Sequence, residues 1–295
     1  MRLIDRVFLH FAREDKLRWM PDKPYLMWIY RISMAQRLNL RKAHTFNEKL
    51  QWLKLYDRNP VYSRMVDKNA AKEYVKGIIG EEYIIKTLGI WDSFAQIDFD
   101  NLPNQFVLKC THDSGGMVIC KDKKQFDYAT AKNKIENSMK RNYYYWGREW
   151  PYKNVKPRII AEQYMTDSAE REELKDYKFF CFNGRVECFK IDFDRFTEHH
   201  ANYYDREGVL LPFGEVDCPP RPERRIDLPH RLSDMIVLAE KLSNGCVFLR
   251  VDFYEVDERI YFGELTFFPA SGMGKITSQE WNQRLGQWIK LPQKE

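Results

Sequence analysis

Apolar and polar positions alternate at helical spacing over residues 1–60. The first helix of this segment has an apolar stripe with basic residues between its members: Leu3, Ile4, Val7, Phe8 and Phe11, with Arg2, Arg6 and Arg13. Residues three and four positions apart share one face of a helix, so the pattern predicts one apolar and one basic face. Such a helix commonly packs on the core, but it also suits the surface of an anionic membrane.

Two further helices and a short strand are predicted before residue 90. Residues 45–56 (TFNEKLQWLKLY) form a helix with Thr45 or Asn47 as its N-terminal cap, and residues 67–75 (DKNAAKEYV) form another. Glycines follow the second helix, and residues 83–85 then predict a strand. This succession of helices and strands indicates a mixed fold.

A glycine-rich hairpin and an aromatic loop come next. Residues 106–109 and 117–120 are two β-rich runs on either side of THDSGG, whose Gly115 and Gly116 permit a tight turn. A helix follows, with apolar positions at Phe126, Ala129, Ile135 and Met139. Residues 142–150 form an irregular aromatic run bounded by prolines, and we expect the boundary between two lobes there.

The remainder of the chain predicts two β-hairpins. Residues 177–182 and 185–191 alternate in polarity on either side of Asn183-Gly184, a dipeptide typical of tight hairpin turns. A second hairpin joins residues 247–255 to residues 260–267.

Helices are predicted around this second hairpin, near residues 230–242 and 278–288. The elements together predict an α+β protein with a helical N-terminal extension, and the length of the chain allows two lobes. Its three parts are a helical segment (1–60), a lobe with the glycine-rich loop (61–150) and a C-terminal lobe with the candidate metal site (151–295).

The composition is that of a folded protein that does not bind nucleic acid. Hydrophobic residues make up 44% and charged residues 31% of the chain, which excludes a disordered tail. The 48 basic and 43 acidic residues give a formal charge of +5, too small and too dispersed to favour nucleic acid. No apolar run is long enough to span a bilayer and no signal peptide is predicted, so we expect a cytoplasmic protein. The six cysteines lack a CxxC pair, which predicts reduced, buried thiols.

Two carboxylates in the last hairpin are candidates for metal binding. If the turn centres near residue 258, Asp252 and Glu264 lie opposite each other on one face of the hairpin. Like charges in that arrangement repel each other, and a cation between them removes the repulsion. Oxygen ligands favour Mg²⁺ over zinc. The alternative is a solvated hairpin face whose register is shifted by one residue.

Lys109 and the glycine-rich turn after it are a second candidate site. A lysine at the end of a strand neutralises phosphate, and the free backbone N–H groups of a glycine turn bind phosphate oxygens. The turn lacks the GxxxxGK[ST] and GxGxxG patterns, so an ordinary hairpin turn with a solvated lysine is the alternative. His112 is interpreted as a hydrogen-bonding residue of the loop, and the His199-His200 pair has no metal ligand at suitable spacing.

Other catalytic patterns are not found in the sequence. It contains no HExxH motif, no kinase signature and no nucleophile elbow, because Ser114 lacks the first glycine of GxSxG. An aromatic cluster allows two interpretations, a platform on which a sugar stacks or packing between the lobes. Its members are Tyr143, Tyr144, Tyr145, Trp146, Trp150 and Tyr152.

Six motifs follow one another in order from about Phe46 to the C-terminus: FNEKLQWLKLYDRNP, DKNAAKEYV, GEEYIIKTLGIWD, LPNQFVLKCTHDSGG, DYKFFCFNG and YFGELTFFPASGM. Together they resemble the ATP-grasp superfamily, and within it the TupA-like branch associated with bacterial capsule and teichuronopeptide polysaccharide biosynthesis. The resemblance implies an ATP-grasp fold, in which two α+β lobes enclose ATP and Mg²⁺.

The resemblance also implies which residues contact the nucleotide. These are Lys68 and Lys109 at the phosphates, Ser114, Gly115 and Gly116 in the loop over them, Glu162, Gln163 and Tyr164 around the adenine, and Asp176 at the ribose.

Catalytic and metal-binding roles are implied for a second set of residues. Lys178 would contact phosphate or substrate, and Arg250 would stabilise the transferred phosphoryl group. Asp252 and Glu264 match the magnesium ligands of the family. Thr266 stands where many relatives have asparagine, and its hydroxyl is a weaker ligand, which leaves a second Mg²⁺ open.

The implied activity is the ATP-dependent joining of a carboxylate to an amine through an acyl phosphate. The carboxylate would belong to a uronic acid of a surface polysaccharide or its precursor, and the amine to an amino acid. A glycosyltransferase is the alternative, for which Asp192-Phe193-Asp194 has the spacing of a DxD motif. We expect small-molecule or glycan partners, no nucleic acid, and a candidate contact of the basic N-terminal helix with the inner face of the membrane.

Overall fold

The structure is a computed structural model that describes residues 2–166, 174–195 and 197–293. Within these ranges the α-helices are α1 (Leu3–Arg13), α2 (Asp22–Met34), α3 (Phe46–Tyr56), α4 (Tyr62–Val66), α5 (Lys68–Ile79), α6 (Tyr128–Met139), α7 (Tyr144–Gly147), α8 (Leu232–Ser243) and α9 (Gln279–Trp288). The strands are β1 (Thr87–Trp91), β2 (Phe106–Cys110), β3 (Met117–Cys120), β4 (Ile159–Gln163), β5 (Asp176–Phe182), β6 (Arg185–Phe193), β7 (His200–Asp205), β8 (Phe248–Val256) and β9 (Arg259–Thr266).

The strands form two antiparallel sheets, each with its own apolar core. The smaller sheet has the order β1-β4-β2-β3, and the larger has the order β7-β6-β5-β8-β9. Helix α6 packs on β2 and β3 of the smaller sheet, whereas α8 packs on β5, β6 and β8 of the larger one. The buried side chains divide into two clusters that follow this division. The prediction of an α+β fold with two lobes is confirmed.

The boundary between the lobes differs from the one predicted at residue 150. Strand β4 comes after that residue, yet it pairs with β1 and β2 in the smaller sheet. Its Ile159 and Ala161 belong to the core of that sheet. Helices α4 and α5, which were predicted in the first lobe, bury Met65 and Val75 in the core of the larger lobe. The prolines near residue 150 do mark a loop. Strand β4 nevertheless joins the smaller sheet, because the core of that sheet buries the apolar face of the strand.

Capping residues hold two helices whose positions matter for the site. The Thr45 hydroxyl accepts a hydrogen bond from the Glu48 backbone N–H at 3.3 Å, and the Glu48 carboxylate accepts one from the Thr45 N–H at 3.2 Å. This reciprocal cap confirms Thr45 as the start of α3. The Asp67 carboxylate caps α5. The Lys68 backbone N–H donates to the Thr111 carbonyl at 3.0 Å, which joins the start of α5 to the glycine-rich hairpin.

Helix α1 buries only part of its apolar stripe. Phe8 is buried, together with Ala12 and Asp5. The Asp5 carboxylate lies 2.5 Å from the Arg31 guanidinium of α2 and accepts a hydrogen bond from Trp28 Nε1 at 3.3 Å. These buried contacts determine how the helix is rotated, and they leave the rest of the stripe at the surface: Leu3, Ile4, Val7 and Phe11.

The turns of two hairpins in the larger sheet have the backbone that tight hairpins require. Asn183 and Gly184 both adopt positive φ, 51° and 81°, between β5 and β6, as the Asn-Gly pair predicts. Asp257 and Glu258 do the same between β8 and β9, with φ of 49° and 61°. The predicted pairing of Lys109 on β2 with the start of β3 also forms.

Two elements differ from the sequence prediction. Residues 83–85 do not form a strand, since Glu81–Tyr83 is a single 3-10 turn and Ile84 makes one isolated bridge to Phe262 of β9. The strand begins later, at β1. Strand β7 was not predicted, because its sequence HANYYD has no clear alternation of polarity. It pairs with β6 at the edge of the larger sheet.

Candidate functional site

A cavity of about 470 Å³ lies between the two sheets. Strands of both lobes line it, together with α5 and the loop of residues 113–116. Two groups of charged side chains line it, beside Asp113, Lys134 and Arg195. The basic group consists of Lys68, Lys72 and Lys109 around Glu162, and the acidic group consists of Asp176, Asp252 and Glu264.

Glu162 is the centre of the basic group. Its carboxylate lies 2.5 Å from Lys72 Nζ and 2.6 Å from Lys109 Nζ. Lys109 and Glu162 reach each other because β2 and β4 are neighbours, and both side chains are on the sheet face opposite the core of the smaller lobe. Burial alone would raise the pKa of Glu162, but the Lys109 and Lys72 ammonium groups outweigh it and lower the pKa to about 2. Two cations around one carboxylate leave a net positive charge at this wall.

Lys72 was not singled out from the sequence. It lies four residues after Lys68 on α5, and residues at that spacing share one helix face, so the DKNAAK sequence contained the signal. Its ammonium also donates to the Ile85 carbonyl at 2.7 Å and to Thr87 Oγ1 at 3.0 Å. These bonds connect α5 to the start of the smaller sheet. Burial lowers the pKa of Lys72, and Glu162 opposes that effect.

The glycine-rich loop closes one side of the cavity. Ser114, Gly115 and Gly116 line it beside Lys68 and Lys109, as the resemblance implied. Gly115 has φ of 108°, a conformation that other residues rarely adopt. The Lys68 ammonium donates to the Asp113 carbonyl and so holds the first residue of the loop. The five predicted phosphate contacts are therefore close together in the structure.

Asp252 and Glu264 are directly opposite each other on β8 and β9, as predicted, but a bulge produces this register. The turn at residues 257–258 pairs Phe253 with Phe262, and continuing that register would pair Asp252 with Gly263. One extra residue on β9 shifts the pairing and brings Glu264 opposite Asp252. A Cβ atom on Gly263 would lie 3.0 Å from the Asp252 carbonyl oxygen, so glycine allows the close approach.

Arg250 supplies a cation between these two carboxylates. Its Nε and Nη2 atoms each lie 2.7 Å from an oxygen of Asp252, and Nη2 lies 2.7 Å from Glu264 Oε1. Burial raises the pKa of Asp252 to about 7, against the lowering effect of Arg250 and Lys178. Burial also acts to raise the pKa of Glu264, but Arg250 and Lys68 outweigh it, and that pKa lies below its usual value.

The two predicted catalytic residues lie behind the cavity wall. Neither Arg250 nor Lys178 lines the cavity, and both side chains are buried. The Lys178 ammonium contacts the Asp176 carboxylate and lies 2.6 Å from Asp192 and 4.0 Å from Asp252. A buried cation must be paired with anions, and these pairs occupy both side chains. Arg250 and Lys178 therefore bind carboxylates in this structure, and their contact with phosphate or substrate stays a prediction.

Three other predicted residues also lie outside the lining of the cavity. Gln163 and Tyr164 follow Glu162 at the end of β4, where the Gln163 backbone N–H donates to the Lys86 carbonyl at 3.0 Å. The Thr266 hydroxyl accepts from Arg250 at 3.1 Å and donates to Glu264 Oε1 at 3.2 Å. Thr266 thus bonds to Glu264 outside the cavity lining, and its role as a metal ligand stays a prediction.

The acidic wall fits a magnesium ion. Asp176, Asp252 and Glu264 line the cavity and offer only oxygen donors, which Mg²⁺ prefers. Asp176 Oδ1 is buried and has no hydrogen-bond partner within the described part of the chain. An unpaired buried carboxylate oxygen is costly, and a cation in the cavity would remove that cost.

A second group of candidate metal ligands lies outside the cavity. The structure brings the ligand atoms of Asp192, His199 and Cys218 within 4.8 Å of one another, which the spacing in the sequence did not reveal. The Lys190 ammonium lies 3.5 Å from Asp192 and 3.9 Å from Cys218 Sγ. The Lys190 ammonium already balances the negative charge of Asp192, so no metal is assigned to this group. All six cysteines are buried and unpaired, as predicted.

The members of the aromatic cluster divide between packing positions and cavity walls. Trp150 donates its indole N–H to the Asp57 carbonyl at 2.9 Å, and Tyr144 is buried, so these two rings pack against the protein. Tyr152 lines the cavity between the sheets. Tyr143 and Trp146 line a second cavity beside the glycine-rich loop.

Comparisons with known proteins place this site in a family. The family model described as TupA-like ATPgrasp matches residues 48–290. The comparison with curated proteins found no match.

Three solved structures illustrate the similarity in fold. D-alanine–D-alanine ligase from Helicobacter pylori is 13% identical with a TM-score of 0.48, covering 86% of this chain and 69% of that one. The Bacillus anthracis D-alanine–D-alanine ligase complexed with ATP is 15% identical with a TM-score of 0.44, covering 76% of this chain. This chain spans only 63% of that ligase. The ATP-grasp ligase PsnB, complexed with a phosphomimetic variant of minimal precursor, Mg and ADP, is 11% identical with a TM-score of 0.43. The match covers 94% of this chain and 73% of that one.

The family match covers most of the chain and includes both charged walls of the cavity, from Lys68 to Glu264. It leaves out α1 and α2. On this match, the chain belongs to the TupA-like ATP-grasp family.

Proposed function

We propose that this protein is an ATP- and Mg²⁺-dependent carboxylate–amine ligase that forms ADP and phosphate. One observation carries the proposal: a single cavity has Lys68, Lys72 and Lys109 with a glycine-rich loop on one wall, and Asp252 and Glu264 on the other. Cations and loop N–H groups suit phosphates, whereas paired carboxylates suit a divalent cation. Membership of the ATP-grasp family supports the same interpretation.

Residues of the two walls would bind different parts of Mg-ATP. The lysines and the loop of residues 114–116 would hold the phosphates, Asp252 and Glu264 would hold Mg²⁺, and Asp176 beside them would bind the ribose. The ion, when bound, offsets phosphate charge and polarises the transferred phosphoryl group. Glu162 keeps the Lys72 and Lys109 ammonium groups close together, and Arg250 keeps Asp252 and Glu264 close together despite their like charge.

The proposed reaction has two steps. An acceptor carboxylate oxygen bonds to the γ-phosphorus of ATP as the bond to the ADP oxygen breaks, which yields an acyl phosphate. The amine nitrogen then bonds to the acyl carbon, phosphate leaves, and the nitrogen loses a proton. We propose a uronic acid of a bacterial surface polysaccharide, or its precursor, as the carboxylate and an amino acid as the amine, on the basis of the resemblance to the TupA-like branch.

A glycosyltransferase remains the alternative function, and its DxD motif is poorly placed for sugar-nucleotide binding. Asp192 is buried, with Lys178 at 2.6 Å and Lys190 at 3.5 Å. Asp194 contacts the Arg224 guanidinium. Neither aspartate lines the cavity between the sheets.

A product assay with pooled uronic acids and amino acids distinguishes these functions. For a ligase, ADP and phosphate form in equal amounts with the amide, and hydroxylamine traps the acyl phosphate as a hydroxamate when the amine is omitted. AMP with pyrophosphate would indicate adenylation, and a phosphorylated sugar hydroxyl would indicate a kinase. Glycosyl transfer from a UDP-sugar without ATP would support the alternative. Any of these three results would overturn the ligase.

We also propose that the protein works at the inner face of the membrane, with α1 on the anionic lipid surface. No helix in the described residues is long and apolar enough to cross a bilayer. The exposed part of the apolar stripe is nevertheless large: Leu3 is 77% exposed, Ile4 55%, Val7 44% and Phe11 41%. Arg2, Arg6 and Arg13 lie among these residues, and basic side chains beside an apolar face favour anionic lipid headgroups.

A further inference from the structure

A second cavity of about 420 Å³ lies on the other side of the glycine-rich loop. It shares four lining residues with the cavity between the sheets: Asp113, Ser114, Gly115 and Lys134. The loop that would cover the ATP phosphates is thus also a wall of this second space. A molecule in the second cavity would lie next to the end of the nucleotide where phosphoryl transfer occurs.

Asp113 is a buried acceptor with unused capacity. The side chain is 7% exposed, and its Oδ2 atom accepts a hydrogen bond from the Ser138 hydroxyl. Its Oδ1 atom is buried without a hydrogen-bond partner in the part of the chain that the structure describes. Buried polar atoms are normally hydrogen-bonded, and a hydroxyl group of a ligand in the cavity would donate the missing hydrogen bond to Oδ1.

Cationic and aromatic side chains complete the second cavity. Lys134 lies on α6 and Arg141 two residues after its end, and both residues line this cavity. Tyr143 and Trp146 offer ring faces, the form of surface on which the apolar face of a sugar stacks. Two cations, a buried hydrogen-bond acceptor and aromatic rings match a sugar that carries a carboxylate.

We propose that the second cavity binds the acceptor as a uronic acid, with Arg141 pairing with its carboxylate and Trp146 stacking on its ring. This assignment rests on the proposed ligase function. Lys134 lines both cavities, so it would contact the acceptor carboxylate as that group approaches the γ-phosphate. Asp113 accepts a hydrogen bond from a sugar hydroxyl.

The N-terminal segment contributes to this acceptor pocket. Asp15 lines the second cavity, and it follows α1 directly, with φ of 56°. The residues matched by the family model begin only at residue 48. The acceptor pocket therefore includes a residue from outside the matched region, and it lies next to the helix proposed to contact lipid.

Binding of simple uronic acids tests this assignment. Saturation-transfer NMR would be recorded with glucuronic and galacturonic acid, and with glucose and galactose as neutral counterparts. Wild type should bind the acids and not the neutral sugars. Arg141→Gln should weaken that binding at least tenfold, since Arg141 lines the second cavity and not the first. Lys132→Gln is the matched control, because Lys132 is an exposed residue of α6 that lines neither cavity.

A second measurement separates this proposal from the ligase itself. The Arg141→Gln variant should keep the rise in melting temperature that Mg-ATP produces in wild type. If it keeps that rise and also binds uronic acids like wild type, the acceptor pocket is elsewhere and the ligase stands. Failure of wild type to bind either acid in the presence of a non-hydrolysable ATP analogue would also overturn the assignment. Failure of Mg-ATP to stabilise wild type would instead overturn the proposed function.

Discussion

Asp252 and Glu264 face each other across β8 and β9, and one nitrogen of Arg250, Nη2, lies 2.7 Å from an oxygen of each. The two acids are nevertheless unequal. Asp252 is buried and takes two bonds from Arg250, whereas the Glu264 side chain is 48% exposed and takes one. Arg250 would therefore keep its main partner if Glu264 lost its charge, but not if Asp252 did.

We predict that Glu264→Gln abolishes turnover without unfolding the protein. Loss of charge directed at the transition state typically lowers the rate about a hundredfold or more. Asp252→Asn should lose turnover as well, and it changes the group that accepts two hydrogen bonds from the Arg250 guanidinium. Urea denaturation and an ADP-release assay measure both effects. Glu223→Gln, at an exposed position, is the control. Near-normal turnover in both site variants would contradict the magnesium assignment.

Gly263→Ala should disturb the bulge that aligns the two acids. The new Cβ would lie 3.0 Å from the Asp252 carbonyl oxygen and 3.2 Å from the Tyr254 ring, closer than ordinary contact. We expect a loss of about 1–3 kcal/mol of stability together with reduced turnover. Gly77→Ala in α5 is the matched control, since a Cβ there meets nothing within 4 Å. That change should raise stability by about 0.4–1 kcal/mol. Unchanged turnover in Gly263→Ala would show that the register tolerates the extra carbon.

The Glu162 carboxylate should make stability depend on pH in the acid range. Its pKa falls from the ordinary value of 4.5 to about 2 in the folded protein, so it stabilises the fold above pH 4.5 and loses that effect as the pH falls towards 2. A shift of this size corresponds to about 3 kcal/mol. Glu162→Gln should lose that amount at neutral pH, and the difference from wild type should shrink below pH 4.5.

Urea denaturation of both proteins at a series of pH values checks this prediction. Glu136→Gln serves as the control, since the Glu136 carboxylate makes only a surface contact with Lys132 at 3.9 Å, and surface pairs contribute at most about 1 kcal/mol. A difference between wild type and Glu162→Gln that does not change from pH 7 to pH 3 would rule out the predicted shift.

Lys109→Ala should remove the stabilisation of the protein by Mg-ATP. At a ligand concentration a hundred times its Kd, binding would stabilise wild type by about 2.7 kcal/mol, which thermal unfolding detects. The variant should still fold, because Glu162 keeps Lys72 at 2.5 Å as a partner. Lys132→Ala, on the exposed face of α6, should respond to Mg-ATP like wild type. An undiminished response in Lys109→Ala would place the phosphates elsewhere.

The exposed face of α1 should bind anionic vesicles. Wild type should sediment with vesicles of phosphatidylglycerol and not with phosphatidylcholine, and added salt should weaken the binding. The double variant Val7→Asp, Phe11→Asp should stay in solution, and its melting temperature should be unchanged because Phe8 still packs on the core. Val237→Asp, an exposed apolar position on α8, should sediment like wild type. Equal sedimentation of the double variant would argue against α1 as the lipid contact.

Local sequence signals account for the elements and for part of the site. The Thr45 and Asp67 caps and the Asn183-Gly184 turn depend on neighbours within a few residues, so the chain itself specifies them. The turn near residue 258 is local as well, but its own register would pair Asp252 with Gly263, and the predicted pairing of Asp252 with Glu264 forms only with a bulge. The bulge at Gly263 that completes this pairing was not predicted, because a shift of one residue depends on how both strands pack.

Contacts between remote segments were decided only by the tertiary structure. The basic group joins Lys72 of α5, Lys109 of β2 and Glu162 of β4, and the placement of β4 in the smaller sheet follows from the burial of its apolar face. Arg250 and Lys178 were predicted to contact substrate, but their surroundings show them paired behind the wall. The sequence by itself determined which residue types lie at the ends of which strands. Only packing decided which of these charged groups face the cavity and which are buried behind it. A buried charge has to lie next to counter-charges, and neighbouring strands supply some of them, as Glu264 does for Arg250 and Asp192 does for Lys178.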